Sequence, residues 1–362
     1  MTVSTIPEAP GSELPAGPYL CFQLKHIGDF LMTLPAVGRL RQARPDDKLG
    51  MVVAPAVAEL AHSHPWVDEV FVLDRTGGPL NNFRLARAIA CEKYGTTFIF
   101  DGQTRSIVTA ALAGIKNRIG ASGLYPLGGA APLFSRDIYL GDDLRLESQA
   151  RRGQRMAELA LGLKSGPPLR PPLPELSRDD LDQAEGLLAE LSGDGPLIGL
   201  TLAGRQHEKS WSLAHFVELC RLFYSEMRAR LFVTGGPAES AMAQALAKAA
   251  GVPVADFCGR TGLKSVIALA HRSNLFITID TGTSHLAALT ETPLISIFIW
   301  TNPAQWPPQS PLARILCYDW ALKRFGLKPD DGPWEVAPVV TPEMVFNTAA
   351  EILNHRSRLE ES

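Results

Sequence analysis

No two cysteines in this chain are spaced as a CxxC pair: Cys21, Cys91, Cys220, Cys258 and Cys317 are scattered, several in apolar runs where a reduced thiol packs as a small hydrophobe. That argues against a disulfide framework and reads as cytoplasmic. Nor does any segment approach the roughly twenty consecutive apolar residues of a membrane span, so contact with a membrane would be peripheral. The first eighteen residues lack the basic start and apolar stretch of a signal peptide; rich in Pro, Gly, Ser and Glu, residues 1–18 read as a disordered tail. Low-complexity repeats are missing. Net charge is also small, −3, which argues against nucleic-acid binding by phosphate neutralisation. The charge is unevenly shared, with 18 Lys and Arg against 16 Asp and Glu in residues 1–165, and 17 against 22 in the remainder. A slightly basic first half suits an anionic acceptor or membrane surface, and equally suits a solvated surface of no special function.

What the chain does have is length and periodicity. At 362 residues, 46% of them hydrophobic, it exceeds the size at which single cores stop growing, and two domains are expected. Short apolar runs of strand type alternate with helix-length amphipathic segments, the signature of parallel βαβ units. In the first half, strands are expected at 19–24, 49–53, 69–73 and 97–100, with helices at 30–44, 55–63 and 81–93. Residues 120–143, rich in Gly and Pro, read as loop with short strands, and a helix is expected at 148–163. The prolines at 167–168, 171–172 and 174 mark a stiff connection. Strands then recur at 197–202, 229–234, 254–257, 275–279 and 294–298, with helices at 213–227, 239–250, 263–272 and 283–290. A terminal amphipathic helix covers 342–354. The expected class is α/β: two Rossmann-like, doubly wound domains at 19–170 and 196–335, joined by a linker at 171–195 and facing a central cleft, followed by a C-terminal segment at 336–362.

Four segments fall at strand ends bordering that cleft. In the first, an apolar strand ends at Asp280, Gly282 follows, and a helix begins with Thr283-Ser284-His285. Backbone N–H groups at such a turn suit phosphate oxygens, and Asp280 suits sugar hydroxyls. The alternative is that Asp280, Thr281 and Thr283 only cap a helix. In the second, Ala203-Gly204-Arg205-Gln206-His207-Glu208-Lys209-Ser210-Trp211, the Arg205 and Lys209 cations can neutralise a diphosphate while Gly204 admits close backbone approach; a solvated loop is the other reading. The third, Gly235-Gly236-Pro237-Ala238-Glu239, offers a carboxylate for a ribose diol, or a favourable first-turn helix charge. The fourth, Lys25-His26-Ile27-Gly28-Asp29-Phe30, follows the first strand of the other domain. Asp29 there is placed to take a proton from an acceptor hydroxyl, and is also a candidate helix N-cap.

Together these segments resemble glycosyltransferase family nine, the bacterial ADP-heptose:lipopolysaccharide heptosyltransferases. The resemblance runs over roughly residues 19–310 and rests on four ordered motifs: Ile27-Gly28-Asp29, Lys209-Ser210-Trp211, Gly235 through Glu239, and Asp280 through Ala288. It implies a GT-B fold and a metal-independent, inverting transfer of a sugar, heptose from ADP-heptose, onto a lipopolysaccharide-core or related glycan, with no cofactor beyond the sugar-nucleotide substrate. It implies Asp29 as general base, with His26 and Gly28 on the acceptor side, and Lys209 steadying the leaving diphosphate. Gly204, Arg205, Glu239, Asp280, Thr281, Gly282 and His285 would hold the donor. The partners implied are a nucleotide-sugar donor and a glycolipid or oligosaccharide acceptor, met in the cytoplasm with peripheral contact at the inner membrane. The closing helix would cross back to the first domain. One departure stands out: where the family usually reads Gly-Pro-Thr-x-Pro after the last core strand, this chain has Ile299-Trp300-Thr301-Asn302-Pro303. Two other classes share the architecture, a GT-B-fold sugar-nucleotide 2-epimerase and a non-catalytic binder of sugar nucleotides or glycans. The first lacks its expected carboxylates and His here, and Asp29 with Lys209 speaks against the second.

Overall fold

The structure, a computed structural model, describes residues 17–74, 76–124, 128–202 and 210–360. The disordered tail expected at the N-terminus, apart from its last two residues, and the Gly204, Arg205 and Lys209 loop lie outside the described residues.

The first domain is built from β1 (Tyr19–Gln23), α1 (Ile27–Ala43), β2 (Leu49–Val53), α2 (Ala58–His62), β3 (Glu69–Val72), α3 (Pro79–Cys91), β4 (Thr96–Ile99), α4 (Thr104–Leu112), β5 (Asn117–Gly120), β6 (Arg136–Asp137) and α5 (Gln149–Ala160). After α6 (Arg178–Leu188), the second domain runs through β7 (Leu197–Leu200), α7 (Leu213–Met227), β8 (Arg230–Val233), α8 (Ser240–Ala250), β9 (Val254–Asp256) and α9 (Leu263–Arg272). It continues with β10 (Leu275–Ile279), α10 (Gly282–Ala287), β11 (Leu294–Phe298), β12 (Ala313–Tyr318), α11 (Asp319–Arg324), β13 (Trp334–Ala337) and α12 (Pro342–Glu360). The central strands, such as Leu275–Ile279 and Leu294–Phe298, are apolar on both faces and buried at every residue, as parallel strands covered by helices on both sides require.

The first sheet has the order β3-β2-β1-β4-β5-β6 and the second β9-β8-β7-β10-β11-β12-β13, with every pairing parallel. Each is the doubly wound order, which reverses direction between β1 and β4 in one domain and between β7 and β10 in the other. Loops leaving strands on either side of such a reversal diverge and open a crevice at the C-terminal edge, the usual ligand site of these sheets.

Two expectations are corrected. The linker at 171–195 is not plain connection, because it contains α6. Ser177 caps that helix, its Oγ accepting from the Asp180 N–H at 3.2 Å, and Ala184 and Leu187 bury against the second domain while Asp180 pairs with Lys264 of α9 at 3.0 Å. The prolines upstream mask this start signal; the extended stretch ends where the cap begins. The closing helix, expected to cross back to the first domain, packs over its described side chains against the second. Val345 and Ala349 of α12 join the second domain's core, and the Phe346 ring lies 5.5 Å from that of Phe223 on α7. An apolar stripe on α12 meets the apolar face of α7, which gives it a partner within its own domain.

The domains share a packed boundary. Val266 and Ile267 of α9, Leu286 of α10 and Leu289 just after it belong to the same buried cluster as Phe30, Leu34 and Val57 of the first domain. Beside it, Glu59 of α2 accepts from the Leu263 N–H at the start of α9, at 2.7 Å.

Candidate active site

Asp29 occupies the third position of α1 rather than its cap, which is His26, and its carboxylate reaches back to the His26 N–H at 3.4 Å. The turn before it is held from several sides. Leu24 N–H donates to Asp101 at 2.9 Å, Lys25 N–H to the Gln23 side chain at 3.3 Å, and the Thr33 hydroxyl to the Asp29 carbonyl at 2.9 Å. Burial raises the pKa of Asp29 above the ordinary carboxylate value, partly offset by the Lys25 ammonium and the His26 N–H. A carboxylate whose pKa is raised in this way is a better proton acceptor than one in open water. Asp29 also lines a small cavity with Gln23, Thr33, Gln149 and Arg152.

Across the cleft, Asp280 ends β10 and is buried, its carboxylate accepting from the Thr301 hydroxyl of the loop after β11. Thr281 stands at the cap position of α10 but makes no side-chain capping bond, so the reading of this segment as a mere helix cap is not what the residues do. At six residues α10 is too short for a developed macrodipole, and what it offers an anion is the individual N–H groups of its first turn. The Thr281 hydroxyl is buried without a hydrogen-bond partner among the described residues. So are those of Thr201 after β7 and Thr234 after β8. Three neighbouring strand ends therefore present unsatisfied hydroxyls, each costing about 1–3 kcal/mol unless something polar meets it.

The two turns touch. A Cβ added to Gly28 would stand 2.9 Å from the His285 ring, and one added to Gly282 would stand 2.9 Å from Ile27 Cβ. Each glycine is needed because the opposite domain fills the space where a side chain would go. Of the sequence candidates, the structure thus brings together Gly28, Asp29, Gly282 and His285, with Asp280 and Thr281 in the same turn and His26 exposed at its edge. Glu239 lies farther along the C-terminal edge, after β8, where Gly235 and Gly236 leave room for its carboxylate; a Cβ on Gly236 would meet Glu239 Oε2 at 3.0 Å. It makes no side-chain capping bond to α8. Trp211, from the Lys-x-Trp segment, is buried and donates from its indole to the Val340 carbonyl at 2.9 Å, anchoring the end of the loop that carries Lys209. Trp300, the departure noted above, is stacked beneath the Arg324 guanidinium at 3.8 Å and edge-on to Trp320 at 5.2 Å, which fixes the bulk next to Thr301.

Sequence reading missed Asp101. It is fully buried at the end of β4, across the strand reversal from β1, and accepts from Leu24 N–H, Gln103 N–H at 2.9 Å and Ser106 Oγ at 2.7 Å. Burial pushes its carboxyl up to about 6. The signal was present, since Phe100-Asp101-Gly102 repeats the strand-end acid and nearby glycine of the Asp280 turn. Among the described residues no group of three or more His, Cys, Asp and Glu side chains is placed to hold a metal ion.

Known proteins share this fold. The family model for glycosyltransferase family 9 (heptosyltransferase) matches residues 83–328. The chain is 25% identical over 296 residues to lipopolysaccharide heptosyltransferase 1 of Salmonella typhimurium, spanning 78% of this chain and 89% of that one. It is 26% identical over 298 residues to the Escherichia coli enzyme of the same name, spanning 78% and 88%. In structure it superposes on the E. coli ADP-heptose lipopolysaccharide heptosyltransferase II with a TM-score of 0.74 at 19% identity, over 94% of this chain and 99% of that one. A family 9 glycosyl transferase from Veillonella parvula gives a TM-score of 0.79 at 21% identity, over 95% and 99%. The two facing sheets are therefore a GT-B fold, and the chain belongs to glycosyltransferase family 9.

Proposed function

We propose that this glycosyltransferase moves heptose from ADP-heptose onto a lipopolysaccharide-core or related cell-surface glycan, with inversion at the anomeric carbon. The observation that carries the reading is the abutment of the Asp29 turn on the Asp280–His285 turn, through Gly28 against His285 and Ile27 against Gly282. One domain thereby offers a base where the other offers hydroxyl and phosphate contacts. Asp29 takes the acceptor hydroxyl's proton as that oxygen attacks the anomeric carbon. The bond from that carbon to the diphosphate breaks, and ADP departs with its electron pair. Lys209 and Arg205 neutralise the departing charge beside Gly204, Glu239 grips the ribose, and Asp280 holds sugar hydroxyls. Thr281 and Gly282 contact the diphosphate, His285 lies alongside, and Gly28 and His26 face the acceptor.

The names of the sequence relatives support heptose and a lipopolysaccharide acceptor. No described helix is long and apolar enough to cross a membrane, and the reading places the enzyme at the cytoplasmic face of the inner membrane, meeting its glycolipid peripherally. With cationic side chains assigned to the leaving group, no metal is required in this scheme. Incubating the purified protein with ADP-heptose should release ADP only when a lipid A inner-core acceptor is present, and should do so in a chelator. Absence of ADP with the acceptor overturns the donor and acceptor assignment; loss of activity in chelator, restored by a divalent ion, overturns the metal-free scheme.

A further inference from the structure

Three consecutive backbone amides lead into the catalytic turn, and each is held by a different side chain: Leu24 N–H by Asp101, Lys25 N–H by Gln23, and His26 N–H by Asp29 itself. The first two anchors continue inward. Gln23 donates from its amide to the Thr33 hydroxyl at 2.8 Å, and that hydroxyl donates to the Asp29 carbonyl at 2.9 Å. Asp101 is fixed in turn by Ser106 Oγ and by Gln103 N–H, both on the far side of the strand reversal. Gln23, Thr33, Asp101 and Ser106 are all buried, so water cannot substitute for any of them without rearrangement.

We propose that Asp101, together with Gln23, is a positioning residue that holds the end of β1 and the first turn of α1 in the geometry from which Asp29 reaches the acceptor hydroxyl. The inference rests on Asp29 acting as the base. Among the described residues Asp101 makes no hydrogen bond to Asp29 or to the opposite domain, and acts through the Leu24 amide. Leu24 N–H and Ser106 Oγ share one carboxylate oxygen while Gln103 N–H takes the other, so a neutral amide at position 101 that kept the first two would turn its NH2 group, a donor, toward the Gln103 N–H. What the buried charge adds is attraction for Lys25, whose ammonium favours the ionised form of both Asp101 and Asp29. One cation thus links the acid that sets the turn to the acid that the turn carries.

The test uses the full chain with ADP-heptose and a lipid A inner-core acceptor as probes, and thermal melting as a check on folding. Asp101→Asn should lower kcat by about 10–100-fold, the range a small misplacement of a reacting group produces, while the KM for ADP-heptose stays within about twofold. Gln23→Leu, which removes the second anchor without touching a charge, should act in the same direction and serves if Asp101→Asn does not fold. Combining either substitution with Asp29→Asn should cost no more than Asp29→Asn alone, because a positioning residue has nothing left to position. A fall in kcat matched by a proportional rise in donor KM and an additive double variant would mark a purely structural role and overturn the proposal. An inactive Asp29→Asn beside unimpaired Asp101→Asn and Gln23→Leu overturns it alone, whereas an Asp29→Asn enzyme with wild-type turnover removes the base reading and this inference with it.

Discussion

The turns at Asp29 and at Asp280 occupy comparable places in two sheets of the same strand order, one after β1 and the other after β10, on opposite sides of their strand reversals. Each places an acid beside a glycine that the opposite domain presses against. They differ in what surrounds the acid. Asp29 sits on the first turn of a 17-residue helix, its carboxyl raised by burial and tempered by a nearby ammonium. Asp280 is held by a neutral hydroxyl, next to a six-residue helix and a Thr281 hydroxyl that the described residues leave unsatisfied. A common topology therefore supplies two strand-end acids in different surroundings, and on the proposed function the first moves a proton while the second holds hydroxyl and phosphate oxygens.

That division can be broken most directly at the acids themselves. Asp29→Asn is expected to lower turnover by about 10²–10⁴-fold with ADP affinity unchanged, as loss of a general base does. Asp280→Ala is expected to show the converse, with sugar-nucleotide affinity falling roughly 10–100-fold as hydrogen bonds to a charged group are lost. Calorimetry beside steady-state kinetics would separate the two; a weakened affinity for Asp29→Asn or an intact one for Asp280→Ala would erase the distinction.

The contact between the turns is tested by Gly28→Ala. Its methyl would press on the His285 ring, at a cost of about 1–3 kcal/mol in melting experiments, the usual range for overpacking. Adding His285→Ala should return much of that stability, and a double variant no better than the single one would show that the ring is not the obstacle. A smaller effect is expected at Thr301→Val, which removes the hydroxyl donating to Asp280: donor affinity should fall by about 0.5–1.5 kcal/mol with kcat little changed. The pH profile sharpens the electrostatic half of the comparison. Asp29 must be ionised to accept a proton, and burial raises its pKa, so the acid limb of kcat/KM should lie above the ordinary carboxylate range. Because Lys25 works against burial, Lys25→Met should move that limb to still higher pH. A limb that stays put or moves down would mean that Lys25 does not face the titrating group.

Sequence periodicity located the core strands to within a residue or two, because apolar runs of four to six residues between glycines and helix starts have few other uses. It did less well where signals conflicted. The helix at Arg178–Leu188 begins with a sound capping pair but follows a proline-rich stretch, and its apolar positions are sparse enough to pass for a linker. The strands Ala313–Tyr318 and Trp334–Ala337 lie toward the edge of the second sheet, carry charges at Arg314 and Glu335, and were not legible as strands. Asp29, Glu239 and Asp280 were legible as candidates because each is an acid close to a glycine in a segment that follows a strand. Asp101 shares that pattern, but its part depends on a bond to Leu24, 77 residues earlier, which no local reading reveals.

The sequence by itself determined the class of fold, the two alternating halves and the acids at their strand ends, because strand, turn and helix signals are written within a few consecutive residues. Only the tertiary structure decided that α12 packs against α7, that Gly28 and Gly282 are each faced by the other domain, and that a buried carboxylate just after β4 accepts from the turn leading to Asp29. Those outcomes depend on which surfaces meet. Packing and hydrogen bonding between distant segments settle that, and neither leaves a periodic trace in the chain.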